Sequence, residues 1–180
     1  MLRQITVSII AAFLIATPET MFAAANTTVG SFEAVELETY THSAPDFSVR
    51  YPYALRSSPP TRKGEVFSAA GLGRAPSLNV MVLPRPADLT LARAAQAAAQ
   101  QLAPNGVIKA QQAVDLGGVP GEAVTFEWSM PIGLGVDLRT QQVSAFHGDA
   151  WVIVTITDGR VGDTLAPDLT AAVNSLRFAP

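Results

Sequence analysis

Val143-Ser144-Ala145-Phe146-His147-Gly148-Asp149-Ala150-Trp151-Val152-Ile153-Val154-Thr155-Ile156-Thr157 reads as two strands around a two-residue turn. Gly148-Asp149 supplies a glycine able to take the positive φ that such a turn needs. The register this sets puts Phe146 opposite Trp151 and leaves Val143, Ala145, Val152 and Val154 on the other side, so both faces of the hairpin are apolar. A strand covered on both faces is a central strand. Beyond it, Leu165, Leu169, Val173 and Leu176 recur at helical spacing, forming one stripe that can cover a face of the sheet. The stretch specifies a sheet packed against a helix, and it shows no chemistry of its own.

At the other end of the chain, Met1-Leu2-Arg3, the apolar run Ile5 to Ala16 and Ala23-Ala24-Ala25 have the layout of an export signal, with cleavage expected after Ala25. The alternative is an uncleaved membrane anchor. Against it, the apolar run is well short of the ~20 residues needed to cross a bilayer, and Pro18-Glu19 closes it. No later stretch reaches that length without a charge or turn residue, so no stable membrane insertion is expected after cleavage. Residues 26–180 are expected to form a single domain, large enough to bury a core unaided. The expected location is the periplasm or the exterior.

The sequence has no cysteine. This removes disulfides, thiolate zinc sites, a cysteine nucleophile and lipid attachment through an N-terminal cysteine. The formal charge is −3, and the leader carries one Arg and one Glu, so cleavage leaves it unchanged. Mild, evenly mixed acidity does not suit nucleic acid, whose binding is led by clustered Lys and Arg.

In chain order, Phe32 to Tyr40 reads as an edge strand with Glu36 and Glu38 on one side and Val35 and Leu37 on the other. Phe47-Ser48-Val49-Arg50-Tyr51-Pro52 is a second strand, stopped by a proline that lacks an amide hydrogen. A solvated loop covers Ser57 to Gly64, and strands follow at Glu65–Ala70 and Leu78–Leu83. Leu91, Ala94/Ala95, Ala98 and Leu102 make a helical stripe with Asp88 or Thr90 as cap and Pro104-Asn105-Gly106 as stop. Strands at Val107–Leu116 and Ala123–Ser129 flank Gly117-Gly118-Val119-Pro120-Gly121, and another runs from Val136 into the hairpin. Short turns between neighbours imply an α+β fold: a mostly antiparallel sheet of about six to eight strands with two main helices packed against it.

This order resembles the PsbP-like superfamily. The local matches are Phe47-Ser48-Val49-Arg50-Tyr51-Pro52, and Gly148-Asp149-Ala150-Trp151-Val152-Ile153-Val154-Thr155-Ile156-Thr157 followed by a helix ending Val173-Asn174-Ser175-Leu176-Arg177-Phe178. Where many relatives carry Gly-Trp after the Tyr-Pro, this chain has Tyr53-Ala54. The resemblance implies an exported domain with its sheet between helices, and a non-enzymatic accessory or binding role. No functional residue of the family maps onto a position here.

Candidate chemistry is sparse. His147 lies two residues before Asp149, and His42 four before Asp46. Each is a possible metal-ligand pair or a plain turn residue, and pairing of the two histidines stays open, although no third ligand is visible. Gly71-Leu72-Gly73 and Gly133-Leu134-Gly135 resemble phosphate-loop fragments but run into strands rather than opening a helix. No Gly-x-Ser-x-Gly elbow or triad order occurs. Trp128 and Trp151 either line a pocket together or belong to the core. The apolar, glycine-rich loop Met130 to Val136 exposes Met130, Ile132 and Leu134, which reads as a partner contact or as a loop folded over the sheet edge.

The expectation is a non-catalytic exported protein with no catalytic, cofactor or metal residues, which binds a protein partner or assists an envelope complex. The alternative is a small-molecule or lipid carrier with its pocket between the C-terminal helix and the sheet. A hydrolase is a third, weaker reading.

Overall fold

The structure is a computed structural model that describes residues 36–72, 76–129, 137–159 and 166–179. The elements are β1 (Leu37–Ser43), β2 (Asp46–Pro52), β3 (Arg56–Ser58), β4 (Glu65–Ala70), β5 (Ser77–Pro84), α1 (Leu91–Leu102), β6 (Val107–Asp115), β7 (Pro120–Ser129), β8 (Asp137–His147), β9 (Ala150–Asp158), α2 (Pro167–Val173) and β10 (Arg177–Phe178). Strands β3-β4-β5-β9-β8-β7-β6 form one seven-stranded sheet, β1-β2-β10 a second of three, and every pairing is antiparallel. The fold is α+β.

The hairpin forms as the sequence requires. Gly148 has φ of 58°, and Phe146 faces Trp151 across the ladder with ring centroids 6.3 Å apart at 80°. β9 lies between β5 and β8 in the middle of the large sheet. Val143, Ala145, Val152, Val154 and Ile156 pack with Leu169, Ala172, Val173 and Leu176 in one core cluster. The second layer on that face is not a helix alone, because β2 adds Phe47, Val49 and Tyr51 to the same cluster.

The end of the chain departs from expectation. α2 stops at Val173 and Leu165 lies outside the described residues, while Leu176 fills the core from the turn beyond the helix. Arg177 and Phe178 then pair with Ser48 and Phe47 as a strand. Two residues of strand are too few for a periodicity to register.

Other corrections are local. Arg56–Ser58 is a short edge strand rather than loop, and β7 begins at Pro120, inside the expected turn. On β1, Glu38 is exposed, while Tyr40, two residues on, stacks on Phe67 at 4.4 Å.

On the opposite face of the large sheet, α1 lies over β7 and β8. Thr90 caps it, its side chain accepting from the Arg93 amide. Ala95, Ala99 and Ala103 meet Val124 and Phe126; Ala98 is only half-buried. Alanine lets the helix approach closely but removes little apolar area from water, so the helix depends on what lies beneath it.

Candidate functional site

The turn between β1 and β2 and the turn between β8 and β9 cap the same end of the molecule, which brings both histidines there. They do not meet. The His147 ring stacks on Phe178 at 4.9 Å, the His42 ring lies 5.1 Å from Phe47, and Phe47 and Phe178 stand between them at 6.0 Å. His42 is occupied by its own hairpin: Nε2 is 3.1 Å from the Ala44 carbonyl and Nδ1 3.2 Å from the Tyr40 hydroxyl. A carbonyl only accepts, so Nε2 carries a proton. Among the described residues, no three or more His, Asp or Glu side chains group closely enough to hold a metal ion.

Beside His147 the surface opens into a depression of about 590 Å³ lined by Ala44, Pro45, Val82, Leu83, Pro84, His147, Asp149 and Ala150. Its floor is the end of β5, and its walls are the two turns. The lining is apolar apart from the His147 and Asp149 side chains at its edge, and exposed Asp46 follows Pro45 along the first turn. A second depression of about 450 Å³ is lined by Glu38, Tyr53, Ala54, Leu55, Arg56 and Ser57. Near it, the Tyr51 hydroxyl donates to Glu38. Burial, then that hydrogen bond and the carboxylate charge, push the Tyr51 pKa up to about 12.

The α1 side of the large sheet carries a feature that strand alternation concealed. Ser58, Ser68, Asn79, Thr155 and Gln142 stand in one row across β3, β4, β5, β9 and β8. Asn79 Nδ2 donates to Glu65 Oε1 at 2.7 Å and to Ser68 at 2.9 Å. Burial alone would raise the Glu65 pKa, but hydrogen bonds from the Thr61 amide, Asn79, the Arg62 amide and the Thr61 hydroxyl hold it below the usual value. In the same hairpin, Gln142 Oε1, Ser144 Oγ and Trp151 Nε1 are buried with no hydrogen-bond partner. In the sequence these positions look like the polar half of an alternating strand; nothing there reveals that Gln142 and Ser144 are buried while Ser58 at the edge of the row is exposed.

The tryptophans share this face at opposite ends of β8. Trp128 pairs across from Leu138, and Trp151 from Phe146. Trp128 donates to Thr140 Oγ1 at 2.9 Å, so the two do not line a common pocket. Among the described residues, Leu169, Ala172, Val173 and Leu176 pack against the sheet with no exposed surface, and neither depression lies between α2 and the sheet. Met130, Ile132, Leu134 and the Gly133–Gly135 fragment fall outside the described residues. In the other glycine fragment, Leu72 stands 92% exposed in a link between strands.

No protein-family model and no curated protein matches the sequence. Solved structures do match in shape. Cyanobacterial PsbP (CyanoP) from Synechocystis sp. PCC 6803 is similar at a TM-score of 0.58 and 13% identity, over 86% of this chain and 99% of that one. The chain has a PsbP-like fold. LpqN, involved in cell envelope biogenesis of Mycobacterium tuberculosis, is similar at a TM-score of 0.55 and 14% identity, over 82% and 92% of the two chains. The Saccharomyces cerevisiae Ran-binding protein Mog1p is similar at 0.55 and 10% identity, over 71% and 79%. At these identities the likeness is one of fold. The PsbP-like build places the two turns, and hence the depression beside His147, at one end of the sheet.

Proposed function

We propose that this PsbP-like chain is an exported, non-catalytic binding protein that engages a segment of a protein partner at the depression beside His147. The observation that carries the reading is an apolar lining of Val82, Leu83, Pro84, Ala44 and Pro45, open to solvent, with the Asp149 carboxylate among the lining residues. Solvent-open apolar surface of this kind is characteristic of contact sites. The complementary partner segment is an apolar side chain flanked by Lys or Arg, because carboxylates at a rim select the opposite charge. The leader Met1–Ala25 is proposed to direct export, and the loop bearing Met130, Ile132 and Leu134 is proposed as a second contact. Mog1p, a Ran-binding protein, supports the reading as a chain of similar build with a protein partner.

The test is a photoreactive residue placed at Asp149, with one at exposed Gln100 on α1 as control. Irradiation in the envelope should give one recurrent protein adduct from position 149 and none from position 100. Equal, scattered adducts at both positions would refute the reading.

A further inference from the structure

The large sheet ends unevenly. Among the described residues, β3 at one edge is three residues long, and β6 at the other presents nine, Val107–Asp115, with no strand paired on its outer side. A long open edge is a template for another strand, and proteins that keep such an edge unpaired shorten it, charge it, or place proline or a bulge in it. β6 has such devices only at its two ends, a register shift between Ile108 and Ala110 with the charged Lys109 inside it, and Asp115 at the last position. Beyond the shift, Ala110-Gln111-Gln112-Ala113-Val114 has no charge and no proline, and Ala110 to Ala113 are all exposed. The edge is also held in place from behind, since the Gln111 side chain donates to the Ala92 carbonyl of α1 at 3.0 Å.

The geometry points to a second copy of this chain as the occupant, with the β6 strands paired antiparallel about a two-fold axis at Gln112. In that register Gln112 faces Gln112 of the second copy, Ala110 faces Val114, and Gln111 faces Ala113. Lys109 of one copy, which already pairs with Glu127 of its own chain at 3.0 Å, and Asp115 of the other come to the same end of the ribbon, so no like charges face each other along β6. The register matches residues of one sheet face with residues of the same face whichever set of β6 amides is free, because positions 110, 112 and 114 match among themselves, as do 111 and 113. The interface is isologous, so it closes at two copies instead of growing into a filament. It shares no residue with the His147 depression and does not depend on the proposed function.

Sedimentation velocity on the purified chain tests this with three samples. Unaltered protein should sediment as a dimer that dissociates on dilution. Gln112→Lys and Gln112→Glu each place like charges across the axis at an exposed site, and each should weaken the dimer by at least about tenfold while circular dichroism melting stays unchanged. Mixing the two variants should restore a dimer, because lysine then faces glutamate. A monomer at every concentration of the unaltered chain, a dimer undiminished by either variant, or a mixture that stays monomeric would each overturn the proposal.

Discussion

Ser144→Ala should make this protein more stable. Ser144 has no exposed surface, and its Oγ has no hydrogen-bond partner; Ile153 and Glu122 flank it on the neighbouring strands. Folding therefore strips a hydroxyl of water without replacement, which costs about 1–3 kcal/mol. Alanine removes that cost. It leaves a gap of roughly one oxygen atom, on the order of 10 Å³, worth only about 0.2–0.3 kcal/mol of cavity penalty. The net gain is about 1 kcal/mol or more, a rise in Tm of about 2–4 °C for a domain of this size. Thr140→Ala is the matched opposite: its Oγ1 accepts from Trp128 Nε1 at 2.9 Å, so its loss orphans a donor and should cost about 1–2 kcal/mol. Urea titration reads both as shifts in midpoint at constant slope. If Ser144→Ala lowers the midpoint, the hydroxyl has a partner and the reasoning fails.

Three further outcomes can be measured, the first two resting on the structure and the third on the sequence. Leu176→Ala should cost about 2–5 kcal/mol in urea unfolding, because a side chain with no exposed surface leaves a cavity; a loss below about 1 kcal/mol would mean the terminal segment is not core. Tyr51, raised to about 12, should ionise after an ordinary tyrosine in an ultraviolet titration. Since the raised value favours the neutral form in the folded state, its contribution to stability is complete below pH 10, the ordinary tyrosine value, and is lost as pH rises from there toward 12; early ionisation would contradict burial beside Glu38. Replacing Ile132 and Leu134 together by serine should weaken capture of a partner with Tm held within about 1–2 °C, whereas a steep fall in Tm would make that loop core.

The central hairpin was legible because two signals agree there: a glycine turn that fixes register, and apolar residues on both faces that fix burial. Edges and ends were less so. β3 and β10 have three and two residues, too short for any period, and exist only because β4 and β2 offer them ladders. That His42 and His147 lie at one end was hidden because their hairpins belong to different sheets, and only the packing of one sheet on the other, through Phe47 and Phe178, brings the two turns together. The depression between those turns is a tertiary product with no motif of its own. The row Ser68, Asn79, Thr155 and Gln142 was misleading for a physical reason: alternation shows which residues share a face, but not whether water reaches it.

Native mass spectrometry of the protein released intact from the envelope of the cells that make it tests the account most directly. The account predicts a species in which the chain carries a different protein, lost when Asp149→Arg reverses the charge at the rim. A chain that instead carries a stoichiometric small molecule or lipid, with no other protein bound, would contradict it.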